Sequence, residues 1–359
     1  MEDRSTVRVQ LTIGLDVGDR HSRLCAMNAD GEIEEESRVV TNAEALRHRF
    51  AGYAPARVAI EVGTHSPWIS RLLEGCGHEV LVANPRKVRL IYENDSKSDR
   101  VDAEWLARIA RMDPKLLAPI HHRGPEAQAD LAVVRARDGL VRSRTLLVNH
   151  VRGAVKAFGG RVGSCSTEGF PKKAAPSVPE PLQPALGPLL ETIASLTTRI
   201  REHDRQIQAM RDRYPETALL KQVPGVGPLT AVAYILVVED PQRFKKSRSL
   251  GAYLGLRPRR DQSGQKDPQR RITKAGSPVL RRLLVGSAHY ILGPFGPDSD
   301  LRRYGLAIAA RGGKNAKKRA VVAVARKLAV LLHRLWITGE AYEPLRNAAR
   351  RERGHVVTP

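Results

Sequence analysis

The chain has 359 residues, long enough for two or three domains, and its 60 Lys and Arg against 38 Asp and Glu give a formal net charge of +22. Such a surplus favours a polyanionic partner, nucleic acid first and an anionic membrane surface second, while 4% aromatic content argues against a wide base-stacking platform for single strands. Cys25, Cys76 and Cys165 form no C-x-x-C pair, against a zinc ribbon or disulfide framework and for reduced thiols; the polar start and the lack of a long apolar run predict a cytoplasmic protein without a membrane span.

Residues 7–40 read as strands: Val7–Val17 is β-rich, Ser22–Ala29 resumes after the turn Gly18-Asp19-Arg20, and Asp30-Gly31 is a hairpin signal. Thr41-Asn42-Ala43-Glu44 has the form of a capping box opening a helix. Arg57–Val62 is a short buried-type strand, Ser66-Pro67 suits the N-cap and first position of another helix, and His78–Ala83 is a strand stopped by Asn84-Pro85. From Ser98 to Met112, Val101, Trp105, Leu106 and Ile109 recur at helical spacing. A strand meander followed by alternating helices and strands implies an α/β layer fold.

Residues 126–157 predict a long, arginine-rich helix. The stretch 158–184, with Gly159-Gly160 and five prolines, reads as a linker or mobile loop. A second long helix follows, with Leu189, Ile193, Leu196, Ile200, His203, Ile207 and Met210 at alternating spacings of four and three. Such a seam serves equally an antiparallel hairpin within one chain or a coiled coil between protomers. From 219 onward the chain is helical and basic: 13 Lys and Arg against two acids between Arg243 and Arg282, then ten against none between Leu301 and Leu335. One-signed charge of this density suits a phosphate grip better than a solvated face, which usually mixes signs. The tail after Ala348 is polar and expected to fray.

Four acids carry the chemistry. Asp16 ends the apolar run from Leu11 and Glu61 ends the run from Val58; an acid there is costly unless paired or bound to a metal. Asp99 and Asp102, three apart, share one helical face. Singly three have a plainer use, Asp16 in a turn, Asp99 as a cap and Asp102 against the helix dipole, while Glu61 is the hardest to explain structurally, since Val62-Gly63-Thr64 offers it no obvious partner. Jointly they make an all-oxygen donor set for Mg²⁺ or Mn²⁺, which as a pair of ions would serve phosphoryl transfer.

Farther on, Val223-Pro224-Gly225-Val226-Gly227-Pro228 opens an apolar helix. Its glycines let backbone approach phosphate at a helix start, in the manner of a helix–hairpin–helix element; an ordinary inter-helix turn reads the same. Arg257, Arg259, Arg260, Lys266, Arg270, Arg271, Lys274, Arg281 and Arg282 surround Ser263-Gly264. Cations there suit phosphate and a pentacovalent transition state, and no histidine nearby in sequence offers a general base for the serine.

Gly14-Leu15-Asp16-Val17-Gly18, Ile60-Glu61-Val62-Gly63-Thr64 and Lys97-Ser98-Asp99-Arg100-Val101-Asp102-Ala103 together resemble the three motifs of the DEDD transposases of the insertion-sequence-110 family (IS110/IS116/IS902 and IS1111-like), related to the Piv-type DNA invertases. Residues 219–305 are similar to that family's second conserved domain, whose proposed nucleophilic serine maps onto Ser263. The likeness spans most of residues 8–340. It implies a ribonuclease-H-like, RuvC-like catalytic domain over 7–123, a helical coiled-coil region over 124–213 with the Pro-rich loop, a mainly helical domain over 214–340, and a polar tail. It further implies that Asp16, Glu61, Asp99 and Asp102 bind Mg²⁺ and join Ser263 in a composite site for cutting and rejoining donor and target duplex DNA. A non-coding bridge RNA as guide, a homodimer or homotetramer, and residence in the bacterial cytosol or nucleoid follow from the same likeness. Two departures are the proline-rich stretch and Asp261 beside Ser263. The rivals are a structure-selective nuclease using metal-activated water, and a non-catalytic nucleic-acid-binding relic.

Overall fold

The computed structural model describes residues 10–84, 99–260, 262–264, 268 and 270–347. The chain divides into two compact units, 1–124 and 125–359. Among the described residues no helix is long and apolar enough to cross a membrane.

The N-terminal unit is a five-stranded mixed sheet with helices on both faces. In chain order come β1 (Leu11–Asp16), β2 (His21–Asn28), β3 (Ile33–Val40), α1 (Ala43–Ala51), β4 (Arg57–Glu61), α2 (Ser66–Gly75), β5 (Glu79–Ala83) and α3 (Asp99–Met112). The spatial order is β3-β2-β1-β4-β5. The first three strands form an antiparallel meander, and β1, β4 and β5 run parallel. This is the ribonuclease-H-like arrangement that the resemblance implies. The β2–β3 turn is closed by Asn28, whose Oδ1 accepts from the amides of Asp30, Gly31 and Glu32, with Gly31 at φ +93°.

Alternation along β1 sorts its side chains to two faces. Ile13 and Leu15 enter a core with Val58, Ile60, Leu46, Phe50, Ile69 and Leu73, from β4, α1 and α2. Thr12, Gly14 and Asp16 face the opposite way, where α3 packs through Ala103, Leu106, Ala107 and Ala110. Trp105, expected on this apolar stripe, is instead 37% exposed; small alanines let the helix lie close to the sheet. Two caps also differ from the sequence reading. Asn42 rather than Thr41 caps α1, accepting from the Ala45 amide, because the Thr41 hydroxyl is bonded to Ser22. His65 is the N-cap of α2, and Ser66 lies fully buried one residue inside.

The C-terminal unit begins with α4 (Pro125–Ala157), followed by α5 (Phe170–Ala174), α6 (Gln183–Ala209), α7 (Glu216–Leu220), α8 (Pro228–Val238), α9 (Leu250–Tyr253), α10 (Pro278–Leu292), α11 (Asp300–Ala310) and α12 (Ala316–Thr338). Helices α4 and α6 form an antiparallel hairpin. Its cross-pairs run in opposite senses: Arg137 with Asp204, Arg144 with Thr197, and Val151 and Val155 in one cluster with Leu190 and Leu186. The buried seam of α6 is Leu186, Leu190, Ile193, Thr197, Ile200 and Ile207, so Leu189, Leu196 and His203 stand beside it. Residues 158–184 are not a loose linker. Val162, Phe170, Ala174 and Val178 are buried in the hairpin's own core, so the prolines shape a packed cap. In the rest of the unit α8 is buried along nearly its whole length, and Tyr234 Oη donates to the Ala329 carbonyl of α12 at 2.7 Å.

Candidate active site

Parallel pairing places Leu15 beside Ile60, and one step farther Asp16 and Glu61 end β1 and β4 side by side. Residues abreast in parallel strands share a face, so both acids project on the α3 side. The direction of α3 follows from its contacts. Arg57, at the start of β4, donates to the carbonyl of Ala110 late in the helix, and Arg111 donates to Ala29 at the base of the meander. The first turn of α3, with Asp99 and Asp102, therefore lies toward the strand ends. Gly14 makes this approach possible: a Cβ there would overlap the carbonyl oxygen of Ala103 and stand 2.6 Å from the Ala107 amide nitrogen.

The backbone thus brings Asp16, Glu61, Asp99 and Asp102 to one end of one sheet face. It does not gather the carboxyl groups into a finished ligand shell: among the described residues, no three His, Cys, Asp or Glu side chains are placed to hold an ion. The donor chemistry fits a hard divalent cation, since all four groups are carboxylates and Asp16, Glu61 and Asp102 are only half-buried. Register adds a neighbour that sequence reading missed: Arg23 of β2 stands directly opposite Asp16.

Beyond the strand ends lies a second ring of groups also missed. His65 Nδ1 accepts from the Trp68 indole N–H at 3.1 Å, which leaves Nε2–H to donate to Asp19 at 3.2 Å. That pair ties the turn after β1 to the start of α2. Ser66 Oγ donates to the Gly63 carbonyl and is 2.8 Å from His122 Nε2. Burial, then the charges of Arg71 and Arg123, hold the His122 imidazole below the ordinary histidine range. No local spacing announces these contacts, because the sequence separations of His65 from Asp19 and of Ser66 from His122 are 46 and 56.

In the C-terminal unit, Ser263 is exposed within the connection of a short antiparallel ribbon. The ribbon is made by Pro258 against Ile272, with Arg259 N–H donating to Arg271 and Thr273 N–H to Arg257. Arg257, Arg259, Arg260, Arg270, Arg271 and Lys274 are all exposed on it; Lys266 and Asp261 lie outside the described residues. Gly255 and Gly276, both at positive φ, clamp its base, where Cβ atoms would overlap Ala275 and Tyr253 backbone. Two of the expected phosphate contacts have internal work. Arg281 donates to the carbonyls of Leu254 and Ala275, bracing the ribbon, and Arg282 pairs with Asp138 of α4. Gly225 has φ +87° and sits against Ser287 and Tyr290, so its form is fixed by packing, whereas Gly227 caps α8 with open space before it.

Known proteins share both halves of this chain. Residues 13–159 match a family model for DEDD transposases of the IS110 type, and residues 217–299 match the model described as "Transposase IS116/IS110/IS902 family". The chain is 31% identical to a probable family 20 transposase of Pseudomonas aeruginosa, over 83% of this chain and 89% of the relative. It is 29% identical to the putative transposase y4pF/y4sB of Sinorhizobium fredii, over 84% and 78%. It is 27% identical to the transposase for insertion sequence element IS1111A of Coxiella burnetii, over 92% and 90%. With strand-end acids beneath a helix that adds two more, and family matches in both units, the chain belongs to the IS116/IS110/IS902 family of insertion-sequence transposases, enzymes that cleave and join DNA.

Proposed function

We propose that this transposase cuts and rejoins donor and target duplex DNA with Asp16, Glu61, Asp99 and Asp102 as ligands for Mg²⁺ or Mn²⁺ and Ser263 as nucleophile. The observation that carries the metal reading is the placement of Asp16 and Glu61 abreast at parallel strand ends, on the face covered by the acidic first turn of α3. A divalent pair, when bound, supplies charge stabilisation for the attacking and leaving oxygens of phosphoryl transfer. The protein's own groups supply the rest. The acids fix the coordinating oxygens, and Arg23 opposite Asp16 limits local negative charge. Ser263 Oγ loses its proton and bonds to phosphorus as one DNA oxygen leaves; the result is a phosphoserine ester and a free DNA hydroxyl. A hydroxyl end of the other duplex then attacks that ester, joining the strands and restoring the serine. Arg257, Arg259, Arg260 and Lys266 offset charge at the phosphate, and Gly227 at the start of α8 admits backbone to a neighbouring phosphate.

A bridge RNA encoded by the element selects donor and target by base pairing, and a homodimer or homotetramer holds the two duplexes. The net charge of +22 supports polyanion binding, and the family likeness supports the RNA and the assembly. The test is an assay for a protein–DNA covalent adduct, using the protein with its co-purifying RNA and cognate DNA in Mg²⁺. Wild type forms the adduct. Ser263→Ala abolishes adduct and strand joining, and Asp16→Asn or Glu61→Gln lowers cleavage by at least about a hundredfold. Full cleavage by Ser263→Ala, with no adduct, would overturn the serine role in favour of a hydrolytic nuclease, and undiminished cleavage by both acid variants would overturn the metal role.

A further inference from the structure

The ribbon that leads to Ser263 has two unlike faces. Pro258 and Ile272 stand opposite each other on one face; Pro258 occupies a non-hydrogen-bonded position, where its missing N–H leaves no gap in the ladder. Ile272 packs on the hydrophobic core of the unit while Pro258 across from it is exposed, so this face meets the unit at its Ile272 side. Arg257, Arg259, Arg271 and Thr273 share the other face, with Arg259 directly across from Arg271. The three arginines are exposed, and their side chains form no ion pair among the described residues. Their neighbours differ: Arg281 is spent on carbonyls, Arg282 on Asp138, Arg302 on the end of α10 and Arg303 on Asp298.

Like charges directly opposite on a ladder destabilise it. Here the backbone is braced by Arg281 and by Gly255 and Gly276, which hold the like charges together. Along the strand, Arg257 and Arg259 stand about 6.7 Å apart at the usual strand rise. A two-stranded ribbon is of a width that the major groove of B-form DNA admits, whereas the major groove of A-form RNA is too deep and narrow for it.

We propose that the arginine face of the ribbon, Arg257, Arg259 and Arg271, lies in the major groove of a B-form DNA duplex beside the strand to be cut; its position beside that strand rests on the serine reading above. The duplex is recognised through its phosphates and groove width.

The experiment uses the full chain freed of nucleic acid and a labelled duplex DNA, with anisotropy read across a salt series. Wild type binds, with affinity falling steeply as salt rises. Arg257→Gln/Arg259→Gln/Arg271→Gln reduces the slope of log affinity against log salt by about two to three, and Arg259→Gln alone by about one. Methyl green, a major-groove ligand, displaces the protein, and netropsin, a minor-groove ligand, does not. An unchanged slope, displacement by netropsin alone, a triple variant that loses affinity for single strands or A-form RNA as much as for duplex DNA, or no duplex binding by wild type overturns the proposal. An equal thermal midpoint for the variants shows that the fold is kept, and a fallen midpoint in the triple variant leaves Arg259→Gln to decide. Ser263→Ala separates the two readings: it keeps wild-type duplex binding if the ribbon binds DNA, whatever becomes of the adduct.

Discussion

A methyl group at Gly14 would have to share space with the Ala103 carbonyl and the Ala107 amide, both rigid backbone. Gly14→Ala therefore lifts α3 from the sheet, at about 1–3 kcal/mol by analogy with overpacked cores. A thermal melt should show the N-terminal unit losing roughly 5 °C or more; an unchanged midpoint would mean that the helix sits farther out. Cys25 offers a second check. Burial, then the charges of Glu36 and Glu104, push its thiol up to about 11, and it is 1% exposed. Iodoacetamide at mildly alkaline pH should label Cys76 and Cys165 in the native protein and Cys25 only after denaturation, as read by mass spectrometry. At this scale the sequence is legible where chemistry clashes with pattern. Asp16 and Glu61 stand out because a carboxylate ends an apolar run. Arg23 does not, because its place opposite Asp16 depends on register. Arg281 and Arg271 look alike in a basic string, and only folding sends one to carbonyls and leaves the other facing solvent.

In the α4–α6 hairpin a polar layer interrupts an apolar seam. Arg144 is 8% exposed; its Nη1 donates to Thr197 Oγ1 at 3.1 Å, and its Nε has no partner. A buried donor without an acceptor is destabilising, and an apolar side chain of similar length removes the fault. Arg144→Met should hold or raise stability by up to about 1 kcal/mol in urea unfolding, and a loss of several kcal/mol would show that the guanidinium is needed there. The seam itself was readable from spacing, since Ile193, Ile200 and Ile207 lie on it. Its alternate members were not: Leu189, Leu196 and His203 obey the same spacing as Leu190, Thr197 and Asp204, and only the pairing of Asp204 and Thr197 with arginines of α4 chooses between them. The proline-rich stretch misled because proline marks where a helix stops, while burial of Phe170 is decided by what lies across from it.

At the level of the molecule, His122 gives the N-terminal unit a response to acid. A histidine held below its usual pKa binds fewer protons folded than unfolded, so stability is full above pH about 6.5 and declines as pH falls through that value. The N-terminal unit should melt lower near pH 5 than near pH 7, and His122→Gln should flatten that dependence; an unaltered slope would assign it to other groups. Strand order was legible in outline, as a meander followed by alternation, but its flanks were not, since nothing local says which strand lies outermost. The outermost positions fall to β3 and β5, and β3 carries Glu34, Glu35 and Glu36 in succession. An incoming polypeptide seeking to extend the sheet there meets a fence of carboxylates, which discourages fibril growth at high expression. Two of these carboxylates are answered by arginines of neighbouring helices, Glu35 by Arg49 and Glu36 by Arg100, so the border is guarded by fixed ion pairs that an added strand would have to displace.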